Sequence, residues 1–387
     1  MHKPLQGLRV LTIEQYGAAP YGTQLLAGLG AEVIKIENPA SGGDSSRLAG
    51  PHFLGEGDSQ FFQTFNRGKK SVALDLKSDE GRADFEALVG TADAVANNLR
   101  GDLPARLKVD YAAISSIKPE IVCAHLSAYG RGNEREAWPG YDYLFQAEAG
   151  FLSLTGEPDG PPARFGLSMV DFMTGSMLAT TLLAAVIGAR DTGKGCDVDV
   201  SLLDTALHQL SYPATWYLNE GETTTRMPRS SHPSVVPSQL FKTADGWIFL
   251  MCQLPKFWEV FCKTVDRTDL LENPDYASVS DRRANHEKLQ AELDALFMEK
   301  GSEDWIAILG GKVPVAPVRD LAEALDASTA RHMVDEVDHP DRPGGLKLLR
   351  EPYAVNGERV AGERAPKLGE HTDAVLSAAR AGKRAAE

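Results

Sequence analysis

A single carboxylate, Asp171, stands directly before an uncharged run of 18 residues, Phe172–Ala189 (FMTGSMLATTLLAAVIGA). The run predicts a helix, and Asp171 falls near its N-terminus. Two kinds of chemistry fit an acid in that place. As a cap, it accepts from the free N–H groups of the first turn and meets the positive end of the helix dipole. As a nucleophile, a partly desolvated carboxylate attacks an activated carbonyl. The residue types alone favour the cap. The two roles compete, because a firmly capped carboxylate is a weaker nucleophile.

Other reactive residue types are less telling. The loop Gly17–Gly22 (GAAPYG) and the acid Glu37 sit where a dinucleotide fold places its glycines and its ribose-binding acid. The glycines have four residues between them, which is not G-x-G-x-x-G, so a nicotinamide cofactor loses its main support. Arg67, Lys69 and Lys70 crowd together in NRGKKS, and Lys77, Arg100 and Arg106 follow near predicted strand ends. Cations there suit a phosphorylated ligand, although a solvated surface turn explains the first cluster slightly better. His125, His208 and His332 have no metal-type spacing. The four cysteines, Cys123, Cys196, Cys252 and Cys262, form no C-x-x-C pair, so neither a zinc site nor a disulfide framework is indicated. Ser127 and Ser168 lie outside any G-x-S-x-G elbow.

These residues need a scaffold. Leu8–Glu14 reads as a buried strand, Thr23–Leu29 as a helix ending at Gly30, and Val33–Glu37 as a second strand. That βαβ unit opens a parallel sheet. Ser71–Leu76, Ala92–Ala96, Ile121–Tyr129 and Asp197–Leu203 supply further strands; Asp79–Val89 and Tyr111–Ile117 supply helices. The first half is a doubly wound α/β domain. Residues 219–238 read as a linker or excursion. Beyond it, Ser238–Phe241 and Trp247–Cys252 flank Ala244-Asp245-Gly246 as a hairpin. Ala284–Lys300 is amphipathic, with Leu289, Leu293, Leu296 and Phe297 on one face. Ser377–Glu387 is expected to fray.

Length and charge narrow the function class. A chain of 387 residues predicts one large and one smaller domain. A net charge of −14 argues against a nucleic-acid surface. The uncharged run reaches transmembrane length, but its Thr174, Ser176, Thr180, Thr181 and two glycines fit a helix buried inside a protein better, so no membrane partner is expected. The N-terminus, MHKPLQGLRV, lacks a leader-type apolar core, and a reducing cytoplasm fits the cysteines.

Several blocks, in order, resemble the family III CoA-transferases: GLRVLTIE with GAAPYGTQLLAGLGAEVIKIENP, NRGKKSVALDLKSDEG, NNLRGDLPARL, PGYDYLFQAEAGFLSLTGEPDGPPAR, SMVDFMTG, GKGCDVDVSLLDTAL, VPVAPV and RAPKLGEHTDAVL. The family, also called CaiB/BaiF, includes formyl-CoA, carnitinyl-CoA and succinyl-CoA-dependent enzymes and, by common fold, α-methylacyl-CoA racemases. The resemblance covers nearly the whole chain.

The resemblance implies a Rossmann-like α/β large domain built from both chain ends (1–218 and 326–387), a smaller α+β domain between them (219–325), and an interlocked homodimer. It makes Asp171 the catalytic nucleophile, which forms an aspartyl–acyl anhydride and then an aspartyl–CoA thioester. CoA is a substrate, with a small carboxylic acid as acceptor and no permanently bound cofactor. Racemases carry histidine before the aspartate of a Gly-His-Asp motif; here Gly140-Tyr141-Asp142 puts tyrosine there, a poor base whose free pKa is about 10. Transfer is therefore favoured over racemisation or a non-catalytic acyl-CoA-binding role, and Tyr141 and Asp142 become site-orienting candidates. CoA contacts carry over to Tyr16, Gly17, Ala18, Ala19, Leu74, Lys77, Asn98, Leu99 and Arg106. Many members have arginine where this chain has Asn38, so adenine recognition differs. Arg164, Arg226 and Arg229 are candidates to meet a second carboxylate on the acceptor.

Overall fold

A computed structural model describes residues 2–360 and 362–382. The chain forms two units, one of Met1–Ala149, Phe165–Leu210 and Arg331–Glu387, the other of Gly150–Arg164 and Ser211–Ala330. The segment 150–164, expected with the large domain, thus groups with the smaller one, and the boundary falls at Leu210 rather than residue 218.

The larger unit is laid out along β1 (Arg9–Ile13), α1 (Ala18–Gly28), β2 (Glu32–Glu37), β3 (Lys70–Ala73), α2 (Asp79–Val89), β4 (Ala94–Asn97), β5 (Val122–Ser127), α3 (Asp142–Glu148), α4 (Met169–Thr192) and β6 (Asp197–Ser201). The strands pair in the order β3-β2-β1-β4-β5-β6, each neighbour parallel. The inner strands β2, β1, β4 and β5 are buried on both faces, as short apolar runs in a doubly wound sheet must be. The order reverses between β1 and β4. Connections leave those two strands in opposite directions, so a crevice opens beyond their carboxyl ends. Gln15 and Tyr16 follow β1 there, and Asn98 and Leu99 follow β4.

Two helices bring Asp171 to that crevice. Helix α1 starts at Ala18, five residues before the expected Thr23, so GAAPYG is mostly helix. Pro20 is tolerated because first-turn N–H groups have no intrahelical partner to lose. Helix α4 lies directly on α1: a methyl group on Gly22 would stand 2.1 Å from the Gly175 carbonyl oxygen, and one on Gly175 would stand 2.2 Å from that of Ala18. The backbones touch, and only glycine permits it. One face of α4 is covered (Thr174, Gly175, Leu178, Leu182, Val186), while Ile187 on another is 63% exposed.

The C-terminal segment completes this unit. A hairpin of Val334–His339 and Arg342–Leu349, not foreseen from sequence, packs Val337, Leu346 and Leu348 around Leu54. The helix Thr372–Arg380 buries Val375, Leu376 and Ala379 with Phe85 and Leu88 of α2. Ser377–Arg380 therefore do not fray, and residues 383–387 lie outside the described residues.

The smaller unit holds an antiparallel sheet of Ser238–Lys242, Trp247–Met251 and Val315–Pro317. The expected hairpin and amphipathic helix are present, the helix spanning His286–Phe297 with Leu289, Leu293, Leu296 and Phe297 buried.

Candidate active site

Asp171 lies in the first turn of α4. Its backbone N–H, one of that turn's free donors, bonds Asp142 Oδ2 at 2.9 Å. The helix is therefore capped by Asp142 from the start of α3, and its N-cap position, Ser168, contributes no side-chain cap bond. Asp142 is fixed in turn. Gln146 Nε2 donates to its Oδ1 at 2.6 Å and to the Leu167 carbonyl at 3.1 Å, and Phe165 N donates to Gln146 Oε1. Asp142 and Gln146 are one helical turn apart, so one face of α3 holds the whole entry to α4.

The Asp171 carboxyl is thus left open. Burial raises its pKa and the nearby Asp142 raises it further, to about 7. It faces the start of α1: a methyl group on Gly17 would stand 3.3 Å from Asp171 Oδ2. The first N–H groups of α1 have no intrahelical acceptor, so the helix brings donors and its positive end to the same spot.

A cleft of about 310 Å³ opens on this carboxyl, lined by Tyr16, Gly17, Ala18, Asn98, Leu99, Tyr141 and Asp171. Gln15 and Leu99 also border an adjoining slot of about 140 Å³, walled by Ile13, Ile36, Leu74, Leu76, Leu99 and Leu107 and rimmed by Asn38 and Lys77. Of the residues expected to contact CoA, two line neither space. Ala19 is fully buried within α1. Arg106 is an exposed side chain paired with Asp102 at 3.0 Å. Arg100, six residues nearer β4 along the chain, lines the cleft. Asp142 stands behind Asp171, buried.

The NRGKKS cations do not form a phosphate site. Lys69 is buried, donating to Glu14 at 2.7 Å and to the Pro20 carbonyl, and burial lowers its pKa to about 8. Arg67 is buried against Asp335 and the Leu349 carbonyl, and Lys70 pairs with Glu32. All three cations are thus engaged by protein partners. His125 is a core residue, held by Asn97 and Asp197 at 2.8 Å each. In the smaller unit, Arg226 donates to the Gly160 and Pro161 carbonyls and Arg229 pairs with Asp294.

Sequence reasoning missed Gln146 and Trp138. The Asp-x-x-x-Gln spacing on α3 was the available signal for the first. Trp138 lies three residues before Tyr141 in the same loop. Arg100 was named only among the cations near strand ends, and it lines the cleft.

Residues 5–372 match the family model described as CoA-transferase family III. The chain is 34% identical, over 389 aligned positions, to a succinyl-CoA:mesaconate CoA-transferase of Haloarcula hispanica, covering 98% of this chain and 97% of that one. It is 31% identical to a succinate–glutarate CoA-transferase of Agrobacterium fabrum, covering 97% and 95%. A crystal structure of a CaiB/BaiF family protein from Brucella suis superposes with a TM-score of 0.82 at 30% identity, covering 98% of this chain and all of that one.

Proposed function

The chain belongs to CoA-transferase family III, and on that premise we propose that it transfers CoA between small dicarboxylic acids through covalent chemistry on Asp171. The Asp171 carboxylate attacks the thioester carbon of the donor, and the C–S bond breaks to release CoA thiolate and leave an aspartyl–acyl anhydride. The thiolate attacks the aspartyl carbon, the donor acid departs as its carboxylate, and an aspartyl–CoA thioester remains. The acceptor carboxylate attacks that thioester, and returning thiolate takes the acceptor acyl group, restoring Asp171. No net proton moves.

The carrying observation is the open Asp171 carboxyl at the cleft, its cap supplied by Asp142. A pKa near 7 leaves a substantial fraction ionised at neutral pH, and an acid of that strength leaves and re-enters acyl linkages more evenly than an ordinary aspartate. The free N–H groups at the start of α1 are suited to the oxyanion. The apolar slot between Leu74 and Leu107 suits a flat adenine, with Lys77 at its rim and Arg100 in the cleft for phosphates. Dicarboxylates are proposed because the relatives named above act on mesaconate, succinate and glutarate by their names. Racemisation lacks its base, since Tyr141 occupies the histidine position.

We also propose a cytoplasmic homodimer, supported by the uncovered apolar face of α4 around Ile187 and by four free cysteines. The decisive experiment is mass spectrometry of the intact protein after incubation with succinyl-CoA and hydroxylamine or borohydride trapping. An adduct on the peptide holding Asp171 is expected. Turnover without any adduct there overturns the covalent route.

A further inference from the structure

The turn between β1 and α1 is held at four polar backbone atoms by side chains from elsewhere. Lys35 Nζ donates to the Glu14 carbonyl at 2.9 Å. Asn98 grips Gln15 at both ends of one residue: its Oδ1 accepts from Gln15 N at 2.9 Å and its Nδ2 donates to Gln15 O at 2.7 Å. Asp44 Oδ1 accepts from Tyr16 N at 3.2 Å, while its Oδ2 pairs with Lys35 at 2.8 Å. Tyr16 itself has φ +63°. A bulky side chain in that left-handed region is strained, and such a conformation persists only where its surroundings impose it. The very next residue is Gly17, packed against Asp171 Oδ2.

We propose that Asn98 is a positioning residue for the transfer reaction: by clamping the Gln15 backbone it keeps Tyr16 left-handed and so sets the start of α1 against the Asp171 carboxyl. Asp44 and Lys35 brace the same turn from inside. Family resemblance makes Asn98 a CoA contact. Here both ends of its amide are engaged by protein backbone, so its contribution passes through Gly17 and Ala18. The inference rests on the reading of Asp171 as the reacting group.

The clamp separates from both a binding and a purely structural role. A displacement of about 1 Å at reacting groups costs on the order of 100-fold in rate. Asn98→Ala is therefore expected to lower kcat about 10- to 100-fold, with succinyl-CoA as donor and glutarate or mesaconate as acceptor. The Kd for CoA, by calorimetry, stays within about twofold, and the melting temperature moves by no more than a few degrees, since Asn98 lies at the cleft surface. A raised Kd with kcat preserved makes Asn98 a ligand contact and overturns the proposal. A lowered melting temperature with full kcat per folded molecule makes it structural and overturns it equally. Trapping on the wild-type enzyme separates the two readings. If the wild type gives no Asp171 adduct, the covalent route fails, while the kcat and Kd of Asn98→Ala still decide the clamp. An adduct formed equally fast in both proteins defeats the clamp alone.

Discussion

Buried acids in the larger unit titrate in opposite directions a short distance apart. Glu37 and Asp44 are each no more than 3% exposed, yet both have lowered pKa values. Burial, the largest single influence, pushes them up. Arg47 and Lys35 beside Glu37, and Lys35 beside Asp44, together pull them further down. Asp171 is raised to about 7, because burial and Asp142 act in the same direction. The partner, more than the depth, decides whether a buried carboxylate becomes a fixed anion or a reactive acid. The fixed anions hold the turn into α1; Asp171, raised instead, faces what that turn presents.

The sharpest way to break this contrast is at Asp171, the proposed nucleophile. Asp171→Asn should lower kcat by about 10³-fold or more in steady-state assays while CoA still binds. The same variant tests the electrostatics. Asp171 has a folded pKa above its unfolded value, so it favours the folded state fully below pH 4 and loses that advantage as pH rises through about 7. The melting temperature of the wild type should therefore fall relative to Asp171→Asn between pH 4 and 7. A constant difference across that range would show that Asp171 has an ordinary pKa.

On the other side, Asp44→Ala leaves Lys35 buried without its nearest counter-ion and frees Tyr16 N. A loss of about 3–5 kcal/mol in urea unfolding is expected; a loss under 1 kcal/mol would mean that water already reaches the pair. Between the two sites lies the α1–α4 contact. Gly22→Ala forces its methyl into the Gly175 carbonyl, with about 1–3 kcal/mol of destabilisation and a fall in kcat from the altered spacing at Gly17. Unchanged stability would require the helices to part freely. The smallest effect is a shift in a pH profile. With wild-type enzyme, kcat/KM should rise with pH through an inflection near 7. Asp142→Asn keeps an acceptor for Asp171 N but removes the neighbouring charge, moving the inflection to lower pH; an unmoved inflection assigns it to another group.

Much of this was legible in the sequence. The parallel strands announced themselves as apolar runs, and the distinctive family blocks marked Asp171 and the cleft residues that follow β1 and β4. The opposite fates of the cations were not legible. Arg67, Lys69 and Lys70 share a composition with any phosphate loop, and only their partners in the fold, Asp335, Glu14 and Glu32, tell that they are already paired. Arg106 and Arg100 were likewise indistinguishable: both pair with Asp102, and only Arg100 lines the cleft. The cap reading of Asp171 failed for a related reason: the acid that caps α4 comes from 29 residues earlier in the chain, and no local pattern reports that. Helix α1 was begun too late because Gly17–Gly22 looks like a loop, although its small residues serve helix contact.

Arg47 lies buried, bonded to Glu37 and to the carbonyl of Pro366, 319 residues further on. Gln63 reaches Ala365 in the same way, and Ser71 reaches the backbone at Gly369. A chain emerging from the ribosome has made Glu37, Arg47 and Ser71 long before it makes their last partners. Through most of synthesis the end of the sheet beside the slot holds a guanidinium with an unfilled donor, and an early-terminated product keeps that defect for good. This corner therefore closes only once residues 365–369 have been made.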